Sequence, residues 1–107
     1  LKRGDIVSVV APDAYGKPRP AVVIQSNLFS EHPSVTILPV TSTLRDTPLF
    51  RLRLEPSPEN GLHSTSDVMV DKITTVPRDR VGPVFCQLES HHIVSIERLI
   101  AVFLGIA

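Results

Sequence analysis

Ten prolines are scattered through a chain of 107 residues, and their spacing limits what the chain can fold into. A proline inside a helix removes a backbone hydrogen bond, collides with the preceding turn and costs ~3 kcal/mol or more. Long helices are therefore excluded over most of the length. The stretches between the prolines are short and β-branched: residues 5–10 (DIVSVV), 20–26 (PAVVIQS) and 34–40 (SVTILPV) read as strands. Residues 50–55 (FRLRLE) alternate apolar with charged side chains, as a half-buried strand does, with Arg51 and Arg53 on its solvated side. Residues 68–76 and 81–88 complete a set of about six. Turn signals separate them at Pro12-Asp13, at Gly16-Lys17-Pro18 and over residues 56–61, and residues 27–32 suit a single helical turn.

The last segment differs in kind. Residues 90–104 contain neither Pro nor Gly, and Ile93, Ile96, Ile100 and Phe103 recur at the spacing of an amphipathic helix. Ser90 is placed to cap it and Gly105 to end it. Strands closed by one helix predict an α+β fold: a small curved antiparallel sheet or barrel with a helix packed on it.

A chain of this length has room for one core, so residues 1–107 are expected to form a single domain. No apolar run approaches the ~20 residues of a membrane span. Residues 1–5 (LKRGD) lack an apolar targeting core, and the lone Cys86 suits a reducing compartment, so a cytoplasmic location is expected. Net charge is zero, but residues 1–53 carry seven basic and four acidic side chains and residues 54–107 the reverse, four and seven. A polyanion could find a local basic surface in the first half.

Several chemistries are quickly set aside. His32, His63, His91 and His92 form no metal-ligand motif, and His91 and His92, neighbours on a helix, point about 100° apart. No metal or cofactor is expected. Cys86 sits among apolar neighbours and reads as core. Phosphate-binding glycine loops and nucleophile elbows are absent, and five aromatic side chains are too few for a base-stacking platform.

The informative stretch is residues 15–24 (YGKPRPAVVI), where Arg19 stands between two prolines just before an apolar strand. Pro20 biases Arg19 to an extended backbone and Pro18 fixes the approach, so the guanidinium leaves from a stiff base. A permanently charged fork mounted in this way suits a phosphate, and Lys17 adds a second charge. An edge-strand arginine in a salt bridge is the other reading that spacing alone allows.

KRGDIVSV (residues 2–9), RPAVVIQ (19–25), ILPVTST (37–43), DVMVDKITTVP (67–77) and the closing FLGI (103–106) follow one another as they do in the MazF/PemK family of bacterial toxin endoribonucleases, which the chain resembles over nearly its whole length. The resemblance implies a strongly curved, SH3-like antiparallel sheet of the CcdB/PemK type with a C-terminal helix, usually as a symmetric homodimer. It implies metal-independent, sequence-selective cleavage of single-stranded RNA, and a cognate MazE-like antitoxin that covers the RNA groove. The family's catalytic arginine falls on Arg19 and its catalytic threonine on Thr41. Lys17, Ser42 and Asp71 fall at positions expected to contact RNA.

Metal-free RNA cleavage proceeds by attack of the 2′-OH on the adjacent phosphorus, leaving a 2′,3′-cyclic phosphate and a 5′-OH. The protein must stabilise charge on a pentavalent phosphorus and manage two protons. Arg19 supplies charge and two hydrogen bonds, and Thr41 one donor. Arginine is a poor base, so the base stays unassigned, Asp71 being either a candidate or a structural or RNA-contacting carboxylate. The first loop is shorter than in many family members and has no Glu, while Met69 and Thr74 stand where arginines are found in some. Two alternatives carry over from the same fold: a CcdB-like poison of DNA gyrase, whose aromatic-Gly-Ile tail Phe103–Ile106 partly echoes, and a catalytically inactive RNA-binding relative.

Overall fold

The computed structural model describes residues 1–10 and 17–106. The turns expected at Pro12-Asp13 and Gly16 and the shortened first loop lie outside the described residues. Within them the chain forms seven strands and a helix: β1 (Asp5–Val9), β2 (Arg19–Val23), β3 (Ser34–Thr41), β4 (Arg51–Leu54), β5 (Ser66–Met69), β6 (Thr74–Pro77), β7 (Val81–Gln87) and α1 (Ser90–Leu104). The pairings are all antiparallel, in the order β4-β5-β3-β2-β1-β7, with β6 also paired to β3. The path is open, with β4 and β7 at its edges, so the fold is a curved sheet and not a closed barrel.

The centre of the sheet is buried on both faces, which is why its strands are continuous apolar runs and not alternating ones. On one face Ile6, Val22, Leu38, Val40, Leu54 and Val68 meet Ile96 of α1. On the other, Val7, Val9, Ala21, Val23, Val35, Ile37 and Val76 pack together in a second cluster. Register breaks in the β1–β7 pairing, between Ile6 and Val7 and again before Val9, add to the curvature of the sheet.

Residues 68–76, expected as one strand, are two. From the pair Thr41–Asp67 to the pair Ile37–Thr74, β3 advances four residues while its partner advances seven, so three residues must loop out. They are the 3-10 turn Val70–Lys72. The reason lies in the side chains. Val68 and Val70 both enter the helix-side core, and unbroken alternation would send Lys72 in after them. The turn leaves Lys72 exposed and packs Ile73 on the core instead.

The helix has the expected span. Its N-cap is Glu89 and not Ser90, with no side-chain cap; the Glu89 carbonyl accepts from the backbone N–H groups of His92 and Ile93. Gly105 ends it in the left-handed conformation at φ 72°. Ile93, Ile96 and Ile100 pack on the core, but Phe103 is half exposed, and Val102, Leu104 and Ile106 are exposed beside it. Among the described residues no helix is long and apolar enough to cross a membrane.

Candidate functional site

Arg19 is the first residue of β2 and Thr41 the last of β3. The antiparallel register pairs Val22 with Leu38 and Ala21 with Pro39. The pairing ends there, and the same register continued two residues further would set Arg19 level with Thr41 at one end of the sheet.

Both line an open cleft of about 630 Å³. Its β1–β3 wall is Ser8, Pro18, Pro20, Pro39 and Val40, and Ser42 and Thr43 continue that wall beyond Thr41. The opposite wall is the segment Gly61, Leu62, His63 and Ser64, with Ser66 and Met69 of β5 and Phe85 of β7. Arg19 is exposed, with Pro18 before it and Pro20 after it. The Thr41 hydroxyl accepts from the backbone N–H of Thr43 at 3.1 Å, which leaves its own proton free for a ligand oxygen.

The other expected residues divide. Ser42 lines the cleft, whereas Lys17 is exposed and does not line it, although Pro18, the next residue, does. Asp71 is not brought to it. It sits in the 3-10 turn, partly buried, with Oδ1 enclosed and without a hydrogen-bond partner among the described residues. From this part of the chain Ser66 and Met69 reach the cleft instead.

The facing wall is rigidly built. Asn60 is fully buried, and its Oδ1 accepts from the backbone N–H groups of Ser57 and Leu62 while its Nδ2 donates to the Glu55 carbonyl. Gly61 follows at φ 62°, and a Cβ there would collide with the Sγ of Cys86. Cys86 itself packs against the helix-side core, in keeping with its expected core role. Beyond Gly61, His63 lines the same cleft as Arg19 and Thr41, although its spacing in the sequence forms no ligand motif. The legible signal was the turn sequence PSPENG over residues 56–61, which fixes a loop without saying which side chain it presents.

A second cluster holds the loop that follows Thr41. Asp67 is almost fully buried. Its Oδ2 accepts from the Arg45 backbone N–H at 3.0 Å and from Arg51 Nη1 at 3.1 Å, and its Oδ1 accepts from Arg53 Nε at 2.7 Å. Arg51 also donates to the Thr43 carbonyl and Arg53 to the Arg45 carbonyl. Burial pushes the Asp67 carboxyl up, but the hydrogen bonds from Arg53, Arg45 and Arg51 together outweigh it and hold the group below the usual aspartate range. The same bond to Asp67 raises Arg53. Arg51 is therefore not a solvated exterior arginine, since only 10% of its side chain is exposed. The loop over residues 42–47 folds back across β4 and encloses it.

A smaller cavity of about 280 Å³ lies between β2 and α1. It is walled by Val22, Ile24, Ile93 and Ile100, its charged lining is the Arg3–Glu97 ion pair at 2.9 Å, and it offers no reactive group. Among the described residues no cluster of three or more His, Cys, Asp or Glu side chains is disposed to hold a metal ion.

Residues 2–104 match the family described as PemK-like, MazF-like toxin of type II toxin-antitoxin system. The Mycolicibacterium smegmatis protein named "Probable endoribonuclease MazF" is 44% identical over 108 residues, covering 100% of this chain and 99% of that one. In fold the chain is similar to an endoribonuclease from a mycobacterial species, solved in complex with its cognate antitoxin, at a TM-score of 0.82 and 22% identity over 100% of this chain and 97% of that one. A MazE-MazF structure from Deinococcus radiodurans matches with a TM-score of 0.79 and 19% identity, covering 100% and 97%. The strand order, the C-terminal helix and the full-length match lead to one assignment: this chain belongs to the PemK-like, MazF-like toxins of type II toxin-antitoxin systems.

Proposed function

We propose that the chain is the toxin of a toxin–antitoxin pair and acts as a metal-independent endoribonuclease on single-stranded RNA. The observation that carries this reading is that Arg19, at the start of β2, and Thr41, at the end of β3, line one open cleft. The full-length relative named an endoribonuclease supports it.

In this mechanism the scissile phosphate sits between Arg19 and Thr41. Arg19 donates to its non-bridging oxygens and takes up the charge that grows as the 2′-oxygen attacks. The free Thr41 hydroxyl donates to a second oxygen. Lys17 and Ser42 hold the strand at the cleft edge. Loss of one donor of this kind costs ~10²–10³ in rate. A cognate antitoxin, like those in the two complexes described above, would inhibit by covering this cleft. A symmetric homodimer would cover the apolar end of α1, and a cytoplasmic location is where the substrate lies.

The test is incubation of the purified protein with a long single-stranded RNA in EDTA, beside Arg19→Ala, with fragment ends mapped. Cleavage by wild type alone, giving 5′-OH ends at a recurring short sequence, is the expected result. Intact RNA from folded wild-type protein would overturn the reading.

A further inference from the structure

We infer that His63 is the proton-transfer group of this site, taking the proton from the attacking 2′-OH. The inference rests on the ribonuclease reading and adds the base that reading lacks. Transesterification needs a group that can accept a proton near neutral pH, and arginine and threonine side chains do not. Asp71 is outside the cleft, in the turn before β6. The polar side chains that do line it, among the described residues, are Arg19, His63 and six hydroxyl groups of serines and threonines. Imidazole is the one group in that set whose ordinary ionisation falls between pH 5 and 8.

The mounting fits the role. His63 is exposed, yet its loop is fixed on both sides. Upstream, the buried Asn60 holds the backbone from Glu55 to Leu62, and the Gln87 backbone N–H donates to the Glu59 carbonyl. Downstream, Thr65 Oγ1 donates to Glu55 Oε2 at 2.7 Å and Ser66 Oγ to the Ser64 carbonyl at 2.9 Å. These bonds fix the backbone on either side of His63, and a proton acceptor must stay within hydrogen-bond reach of one oxygen. The other charged side chain lining the cleft, among the described residues, is Arg19 of β2, and Glu55 and Glu59 precede His63 in its own loop. The elements β3, β5 and β7 present Thr41, Ser66, Met69 and Phe85.

The step balances as follows. The 2′-O–H proton passes to a ring nitrogen of neutral His63 as the 2′-oxygen bonds to phosphorus. The bond from phosphorus to the 5′-oxygen breaks, and that oxygen takes a proton from solvent water. The hydroxide so formed is neutralised by the imidazolium, which returns His63 to its starting state. Arg19 and Thr41 hold the phosphoryl oxygens throughout and exchange no proton.

Single-turnover cleavage of an RNA oligonucleotide in EDTA, followed from pH 5 to 9, tests the assignment with wild type, Arg19→Ala, His63→Gln and His63→Ala. Binding of the same oligonucleotide with a 2′-deoxy nucleotide at the cut site is measured alongside. The expected result is a fall of ~10²–10⁴ in rate for His63→Gln with unchanged binding of the uncleavable strand. The acid limb of the wild-type rate profile should vanish in that variant, and added imidazole should restore part of the activity of His63→Ala. A purely structural residue would lower stability or binding and leave the shape of the profile alone. If wild type cleaves and His63→Gln stays within about threefold of it with a parallel profile, the assignment to His63 is overturned while the ribonuclease reading stands. If wild type leaves the RNA intact, both fall together.

Discussion

Asp67→Asn should destabilise the protein without changing its shape, and the structure gives the size of the effect. The carboxylate is 1% exposed and faces Arg51, whose side chain is 10% exposed. Removing one partner of a buried ion pair costs ~3–5 kcal/mol, because the other charge stays buried and uncompensated. Asparagine retains one carbonyl acceptor, so the loss belongs at the lower end, about 3 kcal/mol. Arg53 is too exposed to add to it. In a domain of this length about 3 kcal/mol lowers Tm by roughly 12 °C, which a thermal melt at pH 7 resolves easily. The pH dependence follows from the sign of the shift. The folded-state carboxyl is held below its unfolded value, so its contribution is complete above the unfolded aspartate pKa of ~3.9 and is lost as pH falls through the lower folded one. The gap between wild type and Asp67→Asn should therefore be constant from pH 7 down to ~5 and close in stronger acid. Replacing the pair together, Asp67→Leu with Arg51→Met, should recover much of the loss. A single variant within about 1 kcal/mol of wild type at pH 7 would refute the reasoning, as would a gap that widens in acid.

The facing wall of the cleft gives two more tests. Asn60→Ala leaves two backbone donors and one acceptor unpaired in a buried site and should cost about 3 kcal/mol by denaturant titration, with a fall in RNA cleavage as the loop carrying His63 loosens. Gly61→Ala meets both a left-handed backbone and the Sγ of Cys86, so it should lower stability by ~1–2 kcal/mol from the backbone alone, and Cys86→Ala in the same chain should relieve only the collision. At the end of α1, Phe103→Glu puts a charge into the exposed apolar patch formed with Val102, Leu104 and Ile106. If the proposed homodimer uses this patch, sedimentation should show it weakened with the monomer fold intact, and an unchanged association state would remove the patch from that interface.

The sequence made the elements legible because proline spacing and β-branching act locally, and the helix over residues 90–104 announced itself through an uninterrupted period. Arg19 was legible for the same reason, since two prolines declare its backbone. What stayed hidden was set by pairing over long distances. The break in residues 68–76 keeps Lys72 out of the core, but it forms only because β3 is long enough to pair on both sides of it, a property of residues 34–41 that the broken segment does not carry. Alternation over residues 50–55 put Arg51 and Arg53 on one face, and Arg53 is exposed there while Arg51 is covered, because a strand's period says which side chains share a face and nothing about what covers it. Here the cover is the loop after Thr41, drawn back by Asp67 on the neighbouring strand. The cleft position of His63 was hidden on similar grounds, since other cleft residues come from β1, β2, β3, β5 and β7 and its loop is held by an asparagine buried three residues earlier. Pairing brings Arg19 and Thr41 to one cleft, and each further part of the site is placed by a buried polar side chain that sequence alone reads as surface: Asn60 for the wall that carries His63, Asp67 for the loop beyond Thr41. If that division is right, Asn60→Ala and Asp67→Asn should slow cleavage with the strand order unchanged, whereas Val22→Ala in the helix-side core should lower stability while the folded fraction keeps its full rate.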